Sequence, residues 1–305
     1  MRFTLKQIEY FVAAAETGSI TAASRRVHIS QPSISAAIAQ LEAVFGITLF
    51  IRHHAAGLSL TQEGHSFLRE SRNLLLHATE LDMTASGLSG QVSGMIEVGC
   101  MTTLYSLIVP ELLQEFETRH PGAQLRIIAG HHSELIEKLR NGEICAMLAY
   151  DLNMPQDLDF SPLAALPPFV FVSAQHRLAR RRHVALSELE HEPFLLLDLP
   201  LSRDYFLSLF SHAGIVPSIM GRFQSIDVIR SLVARGEGYS LANARPRNKA
   251  ALDGRPLAYL ALKDTPQPLL YGTATIANIR QTARATAFLQ VCRELLAGKP
   301  LPGSD

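Results

Sequence analysis

Helix stop and start signals crowd the first 32 residues: Gly18-Ser19 ends one apolar repeat and opens another, and Ser30, followed by Pro32, opens a third. Glycine takes the left-handed conformation that stops a helix, serine caps orphan N–H groups, and proline in a first turn has no N–H to lose. Three short helices must therefore follow one another with almost no linker. On the first, about residues 4–16, Leu5, Ile8, Phe11, Val12 and Ala15 form one apolar stripe. The second carries Ile20, Ala23 and Val27, and the third places Ile34, Ile38, Leu41 and Phe45 on a core-facing arc.

The opposite arc of the third helix holds Pro32, Ser33, Ser35, Ala36, Ala39 and Gln40. A helix enters a DNA major groove only when nothing bulky holds it off. Serine and glutamine can then bond base edges or phosphates, and alanine can meet thymine methyls. The same face is also what an ordinary three-helix core with a small solvent surface would show, and these residues alone leave both readings open. The next stretch, "GITLFIRHHAAGLSLTQEG", reads as two short strands around Ala55-Ala56-Gly57, a hairpin wing that carries Arg52, His53 and His54 toward a backbone or minor groove. Successive strand residues point to opposite faces, so the His53-His54 pair is not expected to hold a metal.

Charge gives this reading little help. The 305-residue chain has 28 basic and 28 acidic residues. Up to Asp82, Arg2, Lys6, Arg25, Arg26, Arg52, Arg69 and Arg72 are matched by Glu9, Glu16, Glu42, Glu63, Glu70, Glu80 and Asp82. A nucleic-acid interface would therefore rest on geometry and few phosphate contacts, with a shallow dependence on salt.

From Leu5 to Gly64 the sequence resembles the LysR-type transcriptional regulators: Ala22-Ala23, the Ser-Gln-Pro that opens helix three, Leu41-Glu42, Leu49-Phe50-x-Arg52 and Leu60-Thr61-x-x-Gly64 fall in the family's order. The resemblance implies a winged helix-turn-helix over residues 1–61, with Ser30, Gln31, Pro32, Ser33, Ser35, Ala36, Gln40, Arg52, His53 and His54 at or near double-stranded promoter DNA. Family members often carry Arg and another polar residue directly after Ser35, where this chain has Ala36 and Ala37.

A regular helical pattern runs from about Thr61 to Leu88. Phe67, Ser71, Leu74, Ala78, Leu81, Ala85 and Leu88 recur in steps of four and three, a seam suited to a second copy of the same helix. Packing on its own domain is the alternative. A homodimer through Phe67, Leu74, Ala78, Leu81 and Leu88 would present two recognition helices to a partly palindromic site. The resemblance extends this to a homotetramer, and contact with RNA polymerase is a further expectation. Residues 62–91 thus form a linker helix and a Ser/Gly-rich hinge.

Beyond the hinge the fold class reads as α/β. Strand-like "MIEVGC", "AQLRIIAG" and "ICAMLAY" alternate with helices, the first of them expected to break at Pro110, which indicates a mostly parallel sheet. By resemblance, residues 92–305 form a two-lobe, Rossmann-like, periplasmic-binding-protein-type effector domain. Lobe I would comprise 92–161 and 267–300, and lobe II 162–266; "IRSLVARGEGYSL" fits the family's Val-Ala-x-Gly-x-Gly stretch. Ligands of such sheets sit at strand C-terminal ends near helix N-termini. That selects Thr102, Thr103, His131, Ser202, Arg203, Gln224 and Ser225, with Arg203 as the cation for a carboxylate-bearing small-molecule effector.

Other functions fit poorly. "GLSG" lacks a nucleophile elbow's spacing, His131-His132-Ser133-Glu134 lacks that of a zinc helix, and no Gly-rich phosphate loop is present, so neither an enzyme nor a cofactor is expected. A redox role would need Cys100 or Cys145, and neither has a cationic sequence neighbour to lower its pKa. An exported solute-binding protein would need a signal peptide. The charged N-terminus is not one, and no apolar run approaches membrane-spanning length, so a cytoplasmic protein is expected.

Overall fold

Thr4 and Gln7 start the first helix by capping each other: the Gln7 amide N–H donates to Thr4 Oγ1 at 3.3 Å and the Thr4 N–H to Gln7 Oε1 at 2.8 Å. The chain is seen here as a computed structural model describing residues 2–53, 57–85, 92–263 and 267–302. Helix α1 (Leu5–Thr17) ends at Gly18 with φ +61°, α2 (Ile20–Val27) starts at the Ser19 cap, and α3 (Gln31–Phe45) starts at Ser30. His28, with φ +54°, closes α2 in the left-handed conformation usually left to glycine.

Ile8, Phe11, Ala23, Ile34, Ile38, Leu41 and Leu49 form the buried centre of this unit. Two residues expected there lie at its rim. Leu5 is exposed, and Phe45 stays 41% exposed with its ring 5.3 Å from Phe3 and 5.0 Å from Phe67. Strands β1 (Phe50–His53) and β2 (Gly57–Leu60) pair antiparallel as the wing, and the Leu58 N–H donates to Gly18 O at 2.8 Å, which ties the wing to the α1–α2 turn.

Helix α4 (Gln62–Ala85) begins where Thr61 Oγ1 accepts from the Gly64 N–H at 2.8 Å. A Cβ on Gly64 would stand 2.2 Å from Leu49 O, so the glycine of the Leu-Thr-x-x-Gly pattern is needed for close packing of α4 on the wing's base. Phe67 is withdrawn from the expected seam. Its ring lies 5.1 Å from Phe11 and 5.0 Å from Phe45, so its apolar surface is already used by its own domain. Ser71 is likewise buried. Leu74 and Leu81 remain 37% and 69% exposed, and Leu88 lies outside the described residues.

The chain forms two compact units. One contains residues 1–92, with which 137–144 and 280–283 group; the other contains 93–136, 145–279 and 284–305. In the second, β3 (Gly94–Met101), α5 (Thr102–Arg119), β4 (Ala123–Gly130), the first half of α6 (His132–Arg140) and β5 (Ala146–Tyr150) give three parallel strands in the order β4-β3-β5. Pro110 does not break α5: it sits on the exposed side of one continuous helix, while Ile108, Val109 and Leu112 hold the other side in the core. A helix curves with its solvent side convex, and that is where a missing N–H bond is best tolerated.

Strand β6 (Leu158–Leu166) then crosses to the second lobe, which runs through β7 (Phe169–Ser173), β8 (His183–Val184), β9 (Pro193–Leu197), α7 (Ser202–His212), β10 (Ser218–Phe223), α8 (Ile226–Ala234), β11 (Ser240–Ala242) and β12 (Leu257–Leu262). The chain returns as β13 (Leu269–Ile276), which lies antiparallel between β5 and β6, and ends with α9 (Ala283–Leu296). β6 pairs with β13 as far as Leu166, so the first lobe reaches beyond the expected border at 161.

The expectation of mostly parallel strands holds for β4-β3-β5 and for β9-β10. It fails for β7, which is antiparallel to both β11 and β12. The second lobe has its own core, from Phe169 through Phe194, Phe210 and Tyr239 to Leu262.

Candidate functional site

Two places collect the chemistry that the sequence singled out, one in each unit. The first is the outer face of α3. Burying Ile34, Ala37, Ile38 and Leu41 turns Gln31, Pro32, Ser33, Ala36, Ala39 and Gln40 outward, with Ser35 half-buried at the edge. Neighbouring helices orient the two amides. Thr21 Oγ1 donates to Gln31 Oε1 at 3.2 Å, and Gln7 Nε2 donates to Gln40 Oε1 at 2.7 Å, which leaves each NH2 group facing solvent. Ser30 is mainly a cap: its hydroxyl accepts from the Ser33 N–H at 3.4 Å and lies 2.7 Å from Ser33 Oγ.

Arg52 and His53 are exposed on β1, where His53 Nε2 meets Ser59 Oγ at 2.8 Å; His54 lies outside the described residues. Much of the local positive charge is neutralised. Glu16 holds Arg26 at 2.6 Å and Arg72 at 2.9 Å, and Arg69 meets Glu70 at 3.3 Å. Among the described residues, Arg2, Lys6, Arg25 and Arg52 make no ion pair.

The second place is a cavity of about 250 Å³ between the lobes of the second unit. Thr102, Thr103 and Ser106 of α5 line it from the first lobe, and Ser202, Tyr205 and Phe206 of α7 from the second. Helix α8 adds Ile226, Asp227 and Arg230, three positions that 3.6-residue periodicity places on one face. Phe169, Phe171, Leu107 and Leu269 supply apolar walls.

Arg230 is only 8% exposed. Its Nη1 donates to Tyr259 Oη at 2.6 Å, and its Nη2 to Asn248 O at 2.8 Å and to Ala250 O at 2.7 Å. Asn243 Nδ2 donates to Leu166 O at 2.9 Å and to Tyr205 Oη at 3.0 Å, which ties a cavity-lining amide to the strand that crosses between lobes. Thr103 Oγ1 donates to Tyr150 Oη at 3.3 Å, and burial pushes the Tyr150 phenol upward, so it stays a neutral hydroxyl.

Of the effector residues expected from sequence, Thr102, Thr103 and Ser202 line this cavity, whereas His131, Arg203, Gln224 and Ser225 do not. Arg203 is 42% exposed and pairs with Asp204 at 2.9 Å and Asp198 at 3.4 Å, acidic partners that already satisfy its charge. Ser225 uses its hydroxyl as the N-cap of α8, accepting from the Val228 N–H at 3.5 Å. Among the described residues the cation that lines the cavity is Arg230, which lies inside "VIRSLVA" and is not singled out by the sequence alone. A charged residue on the otherwise apolar face of a short helix was the available signal.

His132, next to the expected His131, is fully buried with neither ring nitrogen bonded, and burial pushes its pKa down. Burial also pushes the Cys100 and Cys145 thiols up to about 12 and raises Cys292 well above the usual thiol range, so no reactive thiolate supports a redox role. Among the described residues no cluster of three metal-ligating side chains occurs. Among them too, no helix is long and apolar enough to cross a membrane.

Comparison with known proteins returns the same two parts. Residues 5–65 match the family model of bacterial regulatory helix-turn-helix proteins of the lysR family, and residues 89–297 match that of the LysR substrate binding domain. The chain is 31% identical over 290 residues to the HTH-type transcriptional regulator TdfR of Cupriavidus pinatubonensis, covering 90% of this chain and 97% of that one. Among solved structures it is similar to HinK, a LysR family transcriptional regulator from Pseudomonas aeruginosa, with 34% identity, a TM-score of 0.66 and coverage of 97% and 99%. A full-length OxyR variant from Pseudomonas aeruginosa superposes with a TM-score of 0.78 over 96% of this chain and 95% of that one; at 22% identity it speaks for the fold alone.

Proposed function

Because this chain belongs to the LysR family of transcriptional regulators, we propose that it binds a partly palindromic promoter site as an oligomer and answers to a small molecule held between the lobes of its substrate-binding domain. The carrying observation is the split character of α3: its apolar side is consumed by the domain core, and its outer side offers small or amide side chains, Gln31, Pro32, Ser33, Ala36, Ala39 and Gln40. Such a face suits close approach to base edges, with Gln31 and Gln40 donating and Ser35 at the groove wall. The wing residues Arg52 and His53 would reach the sugar-phosphate backbone, and we assign the same role to His54, the next residue in sequence.

Two recognition helices must be held at a fixed spacing to read a palindrome. The exposed Leu74 and Leu81 of α4, with Ala78 between them, form the surface we assign to a homodimer. Dimers would pair further into tetramers, and the assembly would work in the cytoplasm, where promoter DNA and RNA polymerase are met. The effector would act by its different affinity for two arrangements of the lobes. Asn243 faces the cavity and bonds both Leu166 O at the end of β6 and the cavity-lining Tyr205, so ligand contacts there would bear directly on the crossover at Leu166.

A footprint of the purified full-length protein on DNA upstream of its own gene tests this reading. The expected result is two protected half-sites about 34–36 Å apart, or a multiple of that spacing. Protection of no duplex, or of one isolated half-site by a monomer, would reject it.

A further inference from the structure

We infer that Arg230 is the anion-reading residue of the interlobe cavity, and that the ligand is an acid with one singly charged oxyanionic head on an apolar body. The inference rests on the reading of this cavity as the effector site. A guanidinium this deeply buried is normally paired with an acidic group, because taking a charge out of water is costly unless an opposite charge compensates it. Here the three acceptors are neutral, a phenol and two backbone carbonyls, and among the described residues no carboxylate pairs with Arg230. Three of the five guanidinium N–H groups are used, so two remain for a ligand.

The remaining lining sets the rest of the ligand. Phe169 and Phe206 provide an apolar bed, and Thr103 offers a hydroxyl from the first lobe. Asp227, one turn before Arg230 on α8, is the other charged side chain in the lining among the described residues and would repel a second anionic group. The space of about 250 Å³ suits a small organic acid. A purely structural Arg230, clamping the carbonyls of Asn248 and Ala250, would show no preference between a charged and a neutral ligand.

The test uses the full-length protein, isothermal calorimetry and thermal unfolding, with acid and amide pairs as probes: benzoate and benzamide, phenylacetate and phenylacetamide, hexanoate and hexanamide. Benzenesulfonate distinguishes a sulfonate from a carboxylate head, and its binding also supports the inference. At least one acid is expected to bind and raise Tm, with its amide at least 30-fold weaker. Arg230→Gln, checked for an unchanged far-UV spectrum, should lose at least 30-fold in affinity for that acid, while Arg203→Ala keeps it. Equal binding of acid and amide, binding by no acid or sulfonate, or undiminished acid binding to a folded Arg230→Gln would overturn the inference. Should Arg230→Gln fail to fold, the acid and amide comparison on the unsubstituted protein decides. Amides that bind and alter the footprint would leave the effector reading standing and remove only the anionic ligand. A protein that binds acids but protects no DNA would do the reverse.

Discussion

Ala36 and Ala37 are neighbours on α3 with opposite surroundings, which makes them a sensitive test of the DNA reading. Ala36 is exposed, and Ala37 is 7% exposed and packed inward. Aspartate at either position costs up to about 0.7 kcal/mol in helix propensity, a loss common to both. At Ala37 the carboxyl must also leave water. A pKa raised by about three units, at 1.36 kcal/mol each, adds roughly 4 kcal/mol at neutral pH. That is a large part of a typical domain's stability of about 5–15 kcal/mol.

At Ala36 the carboxylate stays in solvent, and stability changes by little more than the propensity loss. On DNA it would face phosphate across the groove. A like charge at close range costs about 1 kcal/mol even in water, and a lost base-edge contact costs about 1 kcal/mol or more. The sum of about 2 kcal/mol corresponds to roughly 30-fold weaker binding per subunit. Thermal unfolding by circular dichroism and fluorescence anisotropy on a labelled upstream duplex, both on full-length protein, read the two effects separately. Ala36→Asp should keep Tm and lose DNA, and Ala37→Asp should lose Tm. If Ala36→Asp binds within about threefold of the unsubstituted protein, less than half the energy worked out above, the outer face of α3 does not touch DNA and the argument fails.

With only Arg2, Lys6, Arg25 and Arg52 unpaired among the described lysines and arginines of residues 2–92, the slope of log affinity against log salt should be no steeper than about −4 per subunit; a steeper one in a salt titration would mean phosphate contacts from elsewhere. The Cys100 and Cys145 thiols keep their protons up to about 12 in the folded protein, whereas the unfolded chain releases them near 9.0. Their contribution to stability is therefore complete below about pH 9 and falls as pH rises toward 12, so urea midpoints should drop over that range, and a Cys100→Ala/Cys145→Ala variant should drop less. Glu188, held down to about 2 by the Ala185 N–H and by Lys263 and Arg181, works in the opposite direction: its stabilisation is present above about 4.5 and lost toward pH 2, so Glu188→Gln should flatten acid unfolding there. Gly238 has φ +150° and a Cβ there would stand 2.2 Å from Pro193 O, so Gly238→Ala should cost more than about 2 kcal/mol in denaturant unfolding, against little for an exposed control such as Ala39→Ser.

The caps at Ser19 and Ser30, the stop at Gly18, the wing and the small outer face of α3 are legible in the chain itself. Each depends on residues a few positions apart, and capping, periodicity and turn chemistry act over that range. The Leu60-to-Gly64 pattern is legible as a motif, but its cause, the close approach to Leu49 O, is not. Phe67 shows the limit of periodicity: the spacing marks it as apolar and inward, and only packing against Phe11 and Phe45 decides which interior it faces.

The ligand cavity depends most on the tertiary structure. Thr102, Thr103 and Ser202 can be placed there from the rule that helix N-termini gather at strand ends, because that rule is local to each strand–helix unit. Choosing between Arg203 and Arg230 cannot be done that way. Whether an arginine's charge is free depends on which carboxylates the fold brings beside it. Asp198 and Asp204 satisfy Arg203 at the surface, while Arg230 is carried into the cleft against a phenol and two carbonyls from segments 18 to 29 residues away. Sequence determines which residues can cap, turn and bury. Long-range packing decides which charge is left without a partner, because electrostatic pairing depends on distance in space and not along the chain.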